Sequence, residues 1–177
     1  MEGYHKSVLL REALEFLEIK VGKWYLDCTL GDGGHTQEIV RLGGNVVGVD
    51  VDPQAIERVK KRLGSKDLGK VRLLQGNFRD IKNLIQTQMD LADQKFAGVL
   101  FDLGVSSLQL MDPERGFSFG KSGPLDMRMD PSLQVKALDL INGLNKGELD
   151  ELFSKLGEEK FSRRLGEAVV RARQVRM

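Results

Sequence analysis

The sequence predicts an α/β fold, in which helices cover both faces of a parallel sheet and a helical segment follows. Two observations carry this prediction. Strand and helix signals alternate through the first two-thirds of the 177 residues, and strand signals such as Asn45–Asp50 are continuous apolar runs. Such runs are typical of parallel strands that are buried on both faces. From residue 132 onward only helical patterns remain.

The elements are predicted in order along the chain. Four strands are predicted at Trp24–Asp27, Asn45–Asp50, Val71–Leu74 and Phe96–Leu103. Helical spacing or cap signals predict helices at Ser7–Ile19, at Thr36–Leu42, at residues 53–63 with Asp52 as the cap and Pro53 in the first turn, and from Arg79 to about Met89. Residues 104–131 read as an ordered loop, Asn145–Glu148 as a capping box and Phe161–Val175 as a helix.

Composition excludes several classes of protein. A hydrophobic content of 41% and a charged content of 30% indicate a globular chain. The net charge of +1 shows no overall signature of a nucleic-acid binder, so RNA binding would need a local basic patch. One cysteine, Cys28, leaves no internal disulfide, and we expect no disulfide-linked partner. Without a membrane-length apolar run or a signal-peptide core in residues 1–6, we expect a cytoplasmic protein with no membrane partner, and a dimer is left open.

A glycine-rich turn joins the first predicted strand to the next helix. It runs from Asp27 to His35 and has glycines at positions 31, 33 and 34. Glycine lets the backbone approach a ligand closely, and the helix start offers N–H groups to a polar ligand. We therefore predict that Gly31, Gly33, Gly34 and His35 bind a nucleotide-like cofactor. A tight turn that binds no ligand is the alternative.

The acid after the second predicted strand narrows the choice of cofactor. Asp50 lies 17 residues after Gly33 (50 − 33), and an acid roughly 20 residues on binds ribose hydroxyls in nucleotide-type folds. A dinucleotide and S-adenosylmethionine (SAM) both fit, but the dinucleotide fingerprint would place glycine where Thr36 stands. SAM has no pyrophosphate and carries an ammonium group that Asp27 can help to hold. The spacing therefore favours SAM, with an NAD-dependent oxidoreductase as the alternative.

Two further side chains follow predicted strands. Asp102 ends the fourth strand, which would lie beside the first in space, so its carboxylate should face the reactive end of the cofactor. Its alternative role is that of an acid that caps a loop. Phe78 follows the third strand and would pack against an adenine ring or belong to the core.

Several motifs together carry a family resemblance. They are His5–Leu9, Gly31–His35, Asp50–Ile56, Asp102–Ser107, Arg115–Phe119, Gly123–Asp130 and Glu158–Phe161 with Arg164. In these motifs the chain resembles the MraW/RsmH family, bacterial methyltransferases that act on cytidine N4 in small-subunit ribosomal RNA. The resemblance implies a class I SAM-methyltransferase (Rossmann-like) sheet, incomplete, over residues 1–105. It also implies that residues 106–177 hold a loop region and the beginning of a helical substrate-recognition domain.

The resemblance also implies roles for individual residues. SAM contacts are expected from Gly33, Gly34, His35, Asp50, Phe78, Asp102 and Gln109. We expect Asp102, with Ser106 or Ser107, to accept a hydrogen bond from the cytidine amine, and Phe117 or Phe119 to stack on the base or to pack in the core. Residues 155–177 hold seven Lys and Arg against three acids. Those expected to contact phosphates are Arg163, Arg164, Arg171, Arg173 and Arg176, with a solvated helix face as the alternative.

The sequence also departs from the family. Members continue beyond the inserted domain with further strands and a Ser-Phe-His-Ser-type motif, whereas this sequence ends at Met177. A truncated, inactive SAM- or RNA-binding fragment is therefore the second hypothesis, and the edge of the sheet beside the fourth strand should be uncovered. We expect no metal site, because His35 has only His5 as a second histidine. A hydrolytic metal role for Asp50, Asp52 and Asp102 is the minor alternative.

Overall fold

Four parallel strands form the sheet of the first part of the chain. The structure, a computed structural model, describes residues 7–88, 91 and 93–175. The strands are β1 (Trp24–Asp27), β2 (Asn45–Asp50), β3 (Val71–Gln75) and β4 (Phe96–Leu100). They are ordered β3-β2-β1-β4, the order in which a doubly wound Rossmann-like sheet begins. The order reverses between β1 and β4, and such a switch point is where open α/β sheets bind ligands.

Helices cover both faces of this sheet, which confirms the predicted α/β class. One face packs against α1 (Leu10–Leu17), α2 (Gly34–Arg41) and α3 (Pro53–Leu68), around the buried side chains of Tyr25 and Val46. The other face packs against α4 (Ile81–Gln86) around Leu26, Val47 and Val49. Burial of each such aliphatic side chain stabilises the fold by roughly 1.5–3 kcal/mol.

Several element ends differ from the prediction for local reasons. The first helix is shorter than predicted because Leu9 and Glu18, which flank it, have positive φ. The second begins two residues early, at Gly34. Asp52 caps α3 as predicted, with its Oδ1 accepting from the Gln54 N–H at 3.0 Å, but helical turns resume beyond Gly64 to Leu68. The helix predicted from Arg79 begins as a 3₁₀ turn, and its predicted end at Met89 lies outside the described residues.

The prediction of a fourth strand as far as Leu103 is wrong, since β4 ends at Leu100. The reason lies in β1, which turns into the glycine loop after Asp27 and leaves the residues beyond Leu100 with no neighbouring strand to pair with. Among the described residues β4 pairs only with β1, so its other edge is uncovered as predicted. Val99 and Phe101 are each about half exposed.

The chain divides into two compact units, and the second consists of residues 110–128 and 132–177. As predicted, the end of the chain is helical, with α6 (Ala137–Gly143), α7 (Lys146–Lys155) and α8 (Ser162–Val175). The predicted capping box begins α7, because Asn145 accepts from the Glu148 N–H and Glu148 accepts from the Asn145 N–H.

In the described part of the chain, every helix is too short or too polar to span a membrane.

The predicted loop region is more regular than expected, since it contains α5 (Ser107–Met111) and a 3₁₀ turn at Pro113–Arg115. Its order comes from Arg128, whose Nε and Nη2 donate to the two carboxylate oxygens of Asp126, each at 2.7 Å. The Arg128 carbonyl in turn accepts from Arg115 Nη2 at 2.9 Å. Hydrogen bonds from the Arg128 guanidinium hold the pKa of Asp126 well below its usual range.

Candidate functional site

Three acidic side chains follow strands at one edge of the sheet. Asp27 ends β1, Asp50 ends β2, and Asp102 follows β4 by two residues. Because the strands are parallel, their carboxyl ends meet at this edge, beside the switch point between β1 and β4. The structure therefore brings the predicted acids to one place.

The glycine loop is held at this edge by backbone hydrogen bonds. The Leu30 N–H donates to the Val49 carbonyl at 3.1 Å, and the Gly33 N–H donates back to the Leu30 carbonyl at 2.8 Å. Gly31 and Gly33 have φ of 50° and 71°, which L side chains rarely adopt. A positive φ explains glycine at both positions without any ligand.

Asp50 ties the glycine loop to the end of β2. One carboxylate oxygen accepts from the Gly31 N–H at 2.8 Å, and the other accepts from the Asp52 N–H at 2.9 Å. Burial raises the pKa of Asp50, although these N–H groups act in the opposite direction. Each carboxylate oxygen keeps a further lone pair, so Asp50 can still accept from ligand hydroxyls.

Two glycines of the loop also allow close packing inside the protein. A Cβ on Gly33 would lie 2.7 Å from Val59 Cγ2 of α3, and one on Gly34 would collide with Ser7 Oγ. Gly31 is different, since a Cβ there would meet only the Thr29 carbonyl at 3.9 Å. The ligand contacts predicted for these glycines stay a prediction, and they would have to come from the backbone.

Asp27 lies beneath the loop and is almost completely buried. One oxygen accepts from the Thr29 N–H at 3.2 Å and the other from the Thr36 hydroxyl at 2.8 Å. Burial raises the pKa of Asp27, and these two hydrogen bonds oppose that effect. Asp27 thus joins the beginning of the glycine loop at Thr29 to the first turn of α2 at Thr36. Its expected contact with a ligand ammonium group stays a prediction.

The raised pKa of Asp27 makes a pH-dependent prediction. A carboxyl whose pKa is higher in the folded state contributes stability below its unfolded pKa of about 4, and that stability is lost as pH rises through the folded pKa. In Asp27→Asn the loss is absent, so the melting temperature of the variant relative to the parent should increase from pH 4 to pH 7. Calorimetry across this range measures the difference, with the exposed Asp93→Asn as the control. A difference that does not change with pH would contradict the assignment.

His35 occupies the first turn of α2 and is 7% exposed. Within the described part of the chain its Nε2 is buried and has no hydrogen-bond partner. Buried polar atoms in native proteins nearly always have a partner, so this nitrogen calls for a polar group beyond the described residues.

Phe78 lies just beyond β3 and is 40% exposed, so it is not a core residue. It packs edge-to-face against Phe101, which is 50% exposed, with ring centroids 5.5 Å apart. Sequence reasoning missed Phe101, although its place directly after a strand was a signal. The pair offers exposed aromatic surface near the ligand edge, and the predicted adenine contact of Phe78 stays a prediction.

Asp102 is joined to the glycine loop through its backbone. Its N–H donates to Thr29 Oγ1 at 2.7 Å, while its side chain is exposed. No group among the described residues donates a hydrogen bond to the Asp102 carboxylate, so it does not cap a loop there. Thr29, which the sequence reasoning missed, thus links the end of β1 to the end of β4.

Ser106 and Gln109 form a capping box at the start of α5. The Ser106 N–H donates to Gln109 Oε1 at 2.9 Å, and the Gln109 N–H donates to Ser106 Oγ at 3.2 Å. These contacts give both residues a structural role, which is to cap the first turn of α5. Their predicted catalytic and cofactor-binding roles stay predictions.

The structure shows no sign of a metal centre in its described part, where no group of three or more His, Cys, Asp and Glu side chains could hold an ion. Cys28 is buried, which with the neighbouring Asp27 raises the pKa of its thiol to about 11.

The arginines expected to contact RNA fall into different environments. Arg164 lies over the Phe161 ring at 5.9 Å, and Arg163 faces Glu167 at 3.8 Å. Arg171 is exposed, whereas Arg176 lies outside the described residues. Arg173 differs from the others, because its Nη1 donates to the Ile141 and Asn142 carbonyls, each at 2.8 Å.

Arg173 therefore acts as a cap on the last turn of α6. We expect Arg173→Ala to lower the free energy of unfolding of the second compact unit, called the helical unit below (residues 110–128 and 132–177), by about 1.5–3 kcal/mol. This is the contribution of hydrogen bonds to a charged group. The exposed Arg171→Ala serves as the control and should leave stability unchanged. Urea unfolding followed by circular dichroism measures both, and equal stability of the two variants would contradict this role.

The sequence places the chain among known proteins. A model of the MraW methylase family matches residues 2–177. The chain belongs to this family. The MraW-type chain is 43% identical over 173 residues to ribosomal RNA small subunit methyltransferase H of Halothermothrix orenii, covering 96% of this chain and 54% of the relative. It is 42% identical to the protein of that name from Brevibacillus brevis, with 97% and 54% covered.

The MraW-type chain spans about half the length of the curated relatives that it matches. Among solved structures it is similar to an rRNA methylase from Streptococcus thermophilus, with 22% identity, a TM-score of 0.45 and coverage of 57% of this chain and 58% of the other.

Proposed function

We propose that this chain forms the cofactor-binding part of a SAM-dependent methyltransferase that acts on the N4 amine of a cytidine in small-subunit ribosomal RNA. The observation that carries the proposal is the hydrogen bond from the Asp102 N–H to Thr29, which sets an exposed carboxylate beside the glycine loop. Support for the substrate comes from relatives named ribosomal RNA small subunit methyltransferase H. Support for methyl transfer comes from the family.

The residues present fit SAM better than a dinucleotide. Asp50 would accept from the ribose hydroxyls. The His35 Nε2, which has no partner among the described residues, would face the polar methionine end together with the start of α2. Asp27 would stabilise the ammonium group from below the loop, and Phe78 would pack on the adenine. Thr36 is fully buried and donates to Asp27, at the position where a dinucleotide fold needs glycine.

Bound SAM would supply an electrophilic methyl group on its sulfonium. Methyl transfer by in-line displacement depends mainly on positioning. The lone pair of a cytidine N4 amine is delocalised into the ring, so the amine is a weak nucleophile. The Asp102 carboxylate would accept a hydrogen bond from the amine, which localises the lone pair and aims it. Ser106 is the second candidate for this contact, although its Oγ already accepts from the Gln109 N–H.

The helical unit would supply contacts to RNA. Phe119 is fully exposed, which excludes the core role for it and leaves base stacking, whereas Phe117 is partly buried. Arg163, Arg164 and Arg171 would contact phosphates, and Arg173 is better explained as a helix cap. RNA affinity of the chain should then fall steeply with salt.

Transfer of labelled methyl groups from SAM to small-subunit ribosomal RNA tests the proposal. We expect Asp102→Ala to lose transfer in a full-length relative, and calorimetric titration with SAM measures how much of its expected SAM contact is lost as well. Unchanged turnover would show that the role of Asp102 is wrong. Binding of SAM by this chain without transfer to the RNA would support the second hypothesis, a SAM- or RNA-binding fragment without activity.

A further inference from the structure

Arg58 of α3 holds the side chain at the centre of the glycine loop. Its Nε donates to Asp32 Oδ1 at 3.1 Å, and its Nη2 donates to Asp32 Oδ2 at 3.4 Å. The two side chains are only 21% and 9% exposed, so water screens this ion pair less than one on the surface. Asp32 lies between Gly31 and Gly33, the two loop residues with positive φ.

Arg62 lies one helical turn further along and holds the backbone of the same residue. Its Nη1 donates to the Asp32 carbonyl at 2.9 Å, and its Nε donates to Gln37 Oε1 of α2 at 2.9 Å. Between the two arginines, Val59 fills the space that a Cβ on Gly33 would need. Neighbouring residues of α3 thus contact the side chain of Asp32, its carbonyl and the next residue of the loop.

The start of α3 is tied to the other half of the candidate site. The Asp52 N–H at the cap of α3 donates to Asp50, and Asp50 also accepts from the Gly31 N–H. One helix therefore connects the acid expected to bind ribose with the loop expected to bind the methionine end. A rigid element of this kind can fix the relative geometry of two ligand groups.

We propose that Arg58 and Arg62 are positioning residues that hold the glycine loop in the conformation that receives the methionine part of SAM. The proposal rests on the proposed function. Glycines with positive φ give the loop many alternative conformations when Asp32 is released, and the loop would then have to be ordered on binding. Asp50 and Phe78 would still hold the adenosine part, so loss of either arginine should weaken recognition of one end of the ligand.

Calorimetric titration with SAM and with 5′-methylthioadenosine, which lacks the amino-acid group, tests this proposal. In Arg58→Ala and in Arg62→Ala, SAM affinity should fall roughly tenfold, within the range of mutations that act through a neighbour. Affinity for methylthioadenosine should change less than twofold. Arg58→Lys and Arg62→Lys should recover part of the loss in SAM affinity. Where an alanine variant fails to fold, the lysine variant at the same position is used to compare the affinities for the two ligands. Lys61→Ala, an exposed cation on the same helix, is the matched control and should leave both affinities unchanged.

Equal losses for the two ligands, or a loss that Lys61→Ala reproduces, would overturn the proposal. Amide hydrogen exchange at residues 31–34 without ligand separates this inference from the proposed function. If the parent chain binds no SAM, the proposed function fails, but faster exchange in Arg58→Ala and Arg62→Ala than in Lys61→Ala still upholds the positioning role. Unchanged exchange at these residues overturns it.

Discussion

Asp50→Ala is expected to bind SAM about 100-fold more weakly than the parent chain. Loss of two charge-assisted hydrogen bonds to ribose hydroxyls, at about 1.5 kcal/mol each, amounts to about 3 kcal/mol, and each 1.4 kcal/mol is a factor of ten. The variant also releases the Gly31 and Asp52 N–H groups that the carboxylate accepts from. Isothermal titration calorimetry measures the affinity directly.

Two variants separate the ribose contact from loss of charge. Asp50→Asn keeps one acceptor oxygen and should lose less affinity than Asp50→Ala. Glu57→Gln removes an exposed acid from the same helix, α3, and should bind SAM as the parent does. Parent-like SAM affinity in Asp50→Ala would show that the end of β2 does not bind the ribose.

Gly33→Ala is expected to lower the free energy of unfolding by about 2–5 kcal/mol. The φ of 71° at this residue costs an L-amino acid roughly 1–2 kcal/mol, and a Cβ placed 2.7 Å from Val59 Cγ2 adds overpacking of about 1–3 kcal/mol. Denaturant unfolding followed by circular dichroism measures the change.

A second substitution tests the cause of this loss. Val59→Ala opens the space beside residue 33, so Gly33→Ala should cost less in the Val59→Ala background than in the parent. Gly143→Ala is the control, because a Cβ there meets nothing within 4 Å and α6 tolerates alanine. A Gly33→Ala variant as stable as the parent would contradict the packing described for the loop.

Much of the fold could be predicted because apolar periodicity and cap residues are local signals. Asp52 caps α3 and Asn145 begins α7 as predicted, since each side chain bonds to N–H groups two or three residues away. The ends of α1 and β4 could not be predicted. The first depends on the positive φ of Leu9 and Glu18, and the second on where the partner strand β1 turns away.

The candidate site was predictable in its residue types but less so in its contacts. The strand ends at Asp27 and Asp50 follow from the parallel pattern, whereas the burial of Asp27 beneath its own loop does not. Arg58 and Arg62 gave a weak signal, as two cations four residues apart on one helix face, but their partner Asp32 is 26 and 30 residues away. Pairing over that separation depends on how α3 packs.

Titration of this chain with SAM and, separately, with NAD tests the central claim, that the glycine loop and Asp50 together form a SAM site. The account predicts binding of one SAM per chain, no heat of binding from NAD, and a rise in melting temperature with SAM alone. Binding of NAD in place of SAM, or binding of neither to a folded chain, would contradict it.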